Sequence, residues 1–127
     1  MRNDIQVHKQ VAADFLKLVV SGQIDEAYRK YVDMQGKHHN LFFPAGFPAL
    51  QNAMKDAHVQ FPNKEFAIRN VIGDENLVAV HSHIVLKKGE KGMVVVHMFR
   101  FNGEKIVEMW DLGQPIPEDS PNKDGAF

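Results

Sequence analysis

The sequence predicts an α+β domain in which three N-terminal helices pack on a curved, four-stranded antiparallel sheet. Two observations carry that expectation. Up to about Gln60 apolar residues recur at three- and four-residue spacing, and beyond Lys64 they give way to β-branched and aromatic runs broken by Gly-containing turns. Helices that precede a strand meander, rather than alternating with strands, gather on one face of the sheet. With 127 residues, 44% hydrophobic and 24% charged, the chain has material for one core, so one domain over 1–127 is expected.

The elements follow in order. Asn3 or Asp4 can cap a first helix whose apolar residues include Val11, Ala12, Phe15, Leu18 and Val19, and Gly22 supplies its stop. A second, shorter helix runs from about Ile24 to Val32, with Ala27, Tyr28 and Tyr31 on one side. The Gly and Pro residues of "DMQGKHHNLFFPAGFP" break both periodicities and predict a structured loop. A third helix from about Pro48 to Gln60 carries Leu50, Met54 and Ala57. Four strands are then read in "EFAIRNVIG", "NLVAVHSHIVL", "GMVVVHMFRFN" and "EKIVEMWDLG", with hairpin connections at "KKGEKG" and "NGE". The Pro-rich end predicts an extended tail over 118–127.

Composition narrows the function. Fifteen Lys and Arg against 16 Asp and Glu leave a formal charge of −1, which favours neither nucleic acid nor an anionic membrane as a partner. The absence of Cys excludes disulfides, thiolate metal sites and Cys nucleophiles. The opening 22 residues are interrupted by charges, unlike a signal peptide, and no apolar run reaches the ~18 residues of a spanning helix. A cytoplasmic protein without cofactor is expected. Seven His residues are the oddity.

Strand alternation places His97, Phe99 and Phe101 on one face and Val107, Met109 and Asp111 on one face of the next strand. His81 and His83 share a face of the preceding strand. If all turn to the helices, His81, His83, His97 and Asp111 converge on a space lined by Phe99, Phe101 and Met109, the make-up of a small-molecule pocket. His97 and Asp111 interrupt apolar runs, where a polar group without a partner costs about 1–3 kcal/mol. Trp110, Arg100 and Glu108 fall on the opposite face. Val94, Val96, Met98, Trp110 and Leu112 make that second face apolar enough to predict a homodimer.

The segments "GDENLVAVHSH" and "VVHMFRFNGEKIVEMWDLGQPIP", with "HHN" after the second helix, resemble the SnoaL-like polyketide cyclase branch of the nuclear transport factor two-like superfamily. The resemblance runs from the first helix to Pro117. It implies a cone-shaped α+β barrel with an internal pocket, usually paired as a homodimer through the sheets. Members include polyketide cyclases, ketosteroid isomerase, an epoxide hydrolase and binding-only proteins, so the fold alone does not set the reaction. Asp111 resembles the acid/base residue that ends the last strand in the cyclases. Beside ketosteroid isomerase, "YVDMQGKHHN" aligns without a gap: His39 takes the place of the catalytic carboxylate and His97 that of the oxyanion-binding acid. Phe15 stands where the isomerase has its oxyanion-binding Tyr, which argues against steroid isomerisation.

The resulting expectation is an enzyme acting next to the carbonyl of a small apolar ligand, in the manner of a polyketide cyclase or an isomerase-like lyase. Asp111 or His39 would be the base, and His97 with Asn40 would bind the oxyanion. Phe15, Asn40, His81, His83, Phe99 and Met109 would line the pocket. One rival is a binding module of the same fold without turnover. The other is a Zn or Ni site built from His38, His39, His81, His83, His97 and Asp111, whose spacing matches no dedicated zinc motif.

Overall fold

The computed structural model describes residues 4–127, so the proposed cap at Asn3 lies outside the described residues. The three helices are α1 (Asp4–Val20), α2 (Ile24–Tyr31) and α3 (Phe47–Gln60). The strands are β1 (Val32–His38), β2 (Glu65–Asp74), β3 (Leu77–Val85), β4 (Met93–Asn102) and β5 (Lys105–Pro115). They form one sheet in the order β1-β5-β4-β3-β2. Four of these strands and the three helices are where the sequence placed them.

The fifth strand, β1, corrects the expected loop. Its burial alternates, with Val32 and His38 buried and Asp33, Gln35 and Lys37 exposed, the period of two that Gly36 and the charges had hidden. β1 pairs parallel to β5, and its register shifts between Val32 and Lys37. Gly36 is required there: a Cβ would lie 2.3 Å from the Val107 carbonyl oxygen. The sheet is curved but not closed into a barrel, since β1 and β2 remain its two edges.

The inner face of the sheet packs on the helices. Ala12 and Phe15 from α1, Ala27 and Tyr28 from α2, and Phe47 from α3 meet Val80, Phe99 and Ile106, all essentially inaccessible. Phe15 lies edge-on to Tyr28 and Phe99, at centroid distances of 5.2 and 5.8 Å, and Tyr28 edge-on to Phe47 at 6.3 Å. Each such side chain contributes roughly 1.5–3 kcal/mol by leaving water. A bulge in β5 sets which residues join them. Phe99 pairs with Met109 but Phe101 pairs with Ile106, so Ile106 takes the inner position that simple alternation gives to Val107.

His8 ties α1 to the β4–β5 hairpin. Its ring stacks on Phe101 at 4.3 Å, and its Nε2 donates to the Gly103 carbonyl at 2.7 Å. The C-terminal tail is not free. Phe127 packs on His81 and His83 on the outer face, under the Arg69 guanidinium, and Lys91 Nζ donates to the Glu118 carbonyl. No described helix is long and apolar enough to cross a membrane.

Candidate active site

The inner face carries a polar cluster where β4 and β5 meet. His97 and Asp111 are directly opposite in the antiparallel register, a position in which Cβ atoms lie about 4.5–5.5 Å apart. The His97 ring stacks along Phe99 at 6.2 Å. Its Nδ1 is buried and, among the described residues, without a hydrogen-bond partner. Burial lowers the His97 pKa below the ordinary imidazole value, and the Asp111 charge opposes that shift in part. A neutral imidazole results, with one N–H and one lone pair to offer.

Asp111 is held from the β1 side. The Asn40 Nδ2 donates to its Oδ2 at 2.9 Å, leaving Oδ1 for other work. Asn40 is itself set by its neighbour: His38 Nε2 donates to the Pro44 carbonyl at 2.8 Å, which fixes the tautomer so that its Nδ1 accepts from the Asn40 backbone N–H at 3.1 Å. The buried Tyr28 phenol faces the same charge. Burial first, and then Asp111, push its pKa well above the ordinary tyrosine value, so the hydroxyl stays protonated and can donate.

One further polar atom lies on this face. Ser82 is fully buried, with an Oγ that has no partner among the described residues. It lies on β3 one diagonal step from His97, whose direct partner on that strand is Val80. Two orphaned polar atoms on one apolar wall are unusual, because nine in ten or more buried polar groups are paired. They suit a ligand with polar atoms of its own.

Of the expected site residues, Phe15, Asn40, His97, Phe99, Met109 and Asp111 come to the inner side. His39, His81 and His83 do not. His39 follows inward His38 on a strand end, so it turns outward, where its Nε2 donates to Glu108 at 2.7 Å and its ring stacks on Trp110. Arg100 and Lys37 complete that outer cluster around Glu108, whose carboxyl is held below its ordinary value, chiefly by the His39 hydrogen bond. His81 and His83 pair with Val96 and Val94, which puts them on the outer face with Phe127. Val78, Val80 and Ser82 take the inner positions instead. The six residues of the metal rival are thus split between two faces, and no three His, Asp or Glu side chains among the described residues gather as ligands.

The profile described as the SnoaL-like domain matches residues 12–109, from the middle of α1 to the centre of β5. The chain belongs to the SnoaL-like family. No curated protein matches the sequence significantly. Among solved structures, this SnoaL-like domain is similar to an NTF-2-like protein of unknown function from Burkholderia xenovorans, with a TM-score of 0.74 at 17% identity over 94% of this chain and 91% of that one. It is also similar to IdmH of Streptomyces antibioticus, provisionally assigned as a polyketide cyclase, with a TM-score of 0.68 at 16% identity over 84% and 91% of the two chains. A provisionally assigned polyketide cyclase of Acidithiobacillus ferrooxidans gives 0.68 at 17% identity, over 85% and 88%. These likenesses establish the cone fold for the SnoaL-like domain.

Sequence reasoning missed two members of the site. The sequence places Tyr28 on one side of the second helix without marking its hydroxyl, and Ser82 is hidden between two His residues. The signal for Ser82 was present in "VAVHSH": the parity containing Val78 and Val80 is the apolar one, and Ser82 belongs to it.

Proposed function

We propose that this SnoaL-like protein is an enzyme that removes a proton next to a carbonyl of a small apolar ligand and stabilises the enolate. The observation that carries the reading is the facing pair on the inner wall: a carboxylate fixed by Asn40, and an imidazole with a buried nitrogen that has no partner among the described residues. Asp111 takes the proton from the α-carbon, the C–H electrons form the C–C double bond, and the carbonyl oxygen gains the charge. Neutral His97 and the Tyr28 hydroxyl donate to that oxygen. Return of the proton to another carbon gives isomerisation, and attack of the enolate on a second carbonyl gives cyclisation or aldol addition. The polyketide cyclase assignments of two fold neighbours support this class of chemistry. His39 has no part in it, being held to Glu108 on the outer face.

The protein works, on this reading, as a homodimer joined through the outer sheet face, in a reducing cytoplasm that suits its lack of Cys. Asp111→Asn preserves shape and removes the base. Solvent deuterium uptake at the α-carbon of β-keto esters should fall by about 10²–10⁴-fold in this variant, with ligand affinity nearly kept. Saturable binding by wild type with no exchange at the α-carbon would leave a binding module and end the enolate reading.

A further inference from the structure

The segment between β1 and α3 exposes three consecutive large apolar side chains, with Leu41 95%, Phe42 91% and Phe43 37% accessible. Both ends of this loop are planted on the inner site. It leaves from Asn40, beside Asp111, and returns at Phe47, whose ring packs against Tyr28 and His38. Asn40 uses both ends of one amide. Its Nδ2 donates to Asp111, while its Oδ1 accepts from the Phe42 backbone N–H at 3.0 Å. The carbonyl of the same residue accepts from the Phe43 N–H at 3.4 Å. One side chain therefore sets the carboxylate and the apolar loop together.

We propose that Leu41 and Phe42 form an apolar lip that receives the nonpolar arm of the ligand whose carbonyl end lies at Asp111, and that Asn40 is the positioning residue joining lip to carboxylate. The inference rests on the enolate reading and adds the substrate class: a carbonyl compound with a hydrocarbon or aromatic arm long enough to leave the interior. An apolar occupant fits because water leaves the lip as it binds, and because the lip is continuous with the site through a single residue. A ligand that is all polar beyond its carbonyl gains nothing there.

The test uses the full chain and a ladder of methyl 3-oxoalkanoates from the butanoate to the dodecanoate, with affinity measured by calorimetry. Wild type should bind the longer members more tightly by up to about fourfold per added CH₂ once the arm reaches the lip. Leu41→Ser with Phe42→Ser should leave the butanoate unchanged and weaken the dodecanoate at least about tenfold. Asn40→Asp keeps the acceptor for the Phe42 N–H but sets a second carboxyl group against Asp111, so the two share a proton and the exchange rate should fall for every ester while the chain-length gain is kept. Asn40→Ala should lose both. If the double Ser variant binds every ester as wild type does, or changes only the oligomeric state, the lip is overturned and the enolate reading stands. If Asn40→Asp exchanges like wild type, the joint is overturned. If wild type neither binds nor exchanges any ester, the enolate reading falls and takes the lip with it.

Discussion

Ser82 and His97 place a hydroxyl and an imidazole nitrogen on an apolar wall without partners among the described residues, and the two should behave oppositely in stability and in function. Replacing a buried, unpaired hydroxyl by a methyl group removes a desolvation penalty. Ser82→Ala should therefore leave stability unchanged or raise it by up to about 1 kcal/mol, read as the urea midpoint, while weakening β-keto ester binding about tenfold if the hydroxyl meets the ligand. A variant that loses stability would mean that Ser82 has a structural partner. For His97 the folded-state pKa lies below the ordinary 6.5. Between that depressed value and about 6.5 the unfolded chain binds a proton that the folded chain refuses, so stability rises with pH across the window and is lost as pH falls. Melting temperatures from about pH 7.5 down to about pH 5.5 should drop more steeply for wild type than for His97→Gln. Parallel slopes would contradict a neutral, desolvated His97.

At the scale of elements, the strand missed by periodicity is the one the site depends on most. β1 carries His38 at its end and Asn40 just beyond, and its parallel pairing with β5 is what brings Asn40 to Asp111. The pattern was visible only as alternating burial, because Gly36 and Lys37 dilute the β-branched signal that marks β2 to β5. Gly36→Ala tests this contact. A methyl group against the Val107 carbonyl forces the two backbones apart, so the change should destabilise by about 1–3 kcal/mol in urea unfolding. Unchanged stability would mean that β1 does not sit this close to β5. The bulge in β5 belongs to the same lesson: one extra residue exchanges Val107 for Ile106 on the inner face, and alternation counted along the sequence cannot register it.

For the whole molecule, the outer face bears on assembly. Leu112 is 68% and Ile72 66% exposed there, while Trp110 is flanked by His39 and Arg100. Such a face predicts a homodimer at micromolar concentration by light scattering, with Trp110 fluorescence changing on dilution; a monomer at that concentration would refute it. Sequence alone determined the three helices and the strands β2 to β5, and which side chains share a face: His97 with Phe99, Met109 with Asp111, and Trp110 with Glu108. Each follows from a local period that the backbone must obey. Tertiary structure alone decided which parity of β3 faces the helices, and hence that Ser82 enters the site while His81 and His83 leave it. It also decided that His39 turns to Glu108, and that Tyr28 meets the charge of Asp111. A period of two leaves the choice of face open, and only the register against β4, with Val80 opposite His97, closes it.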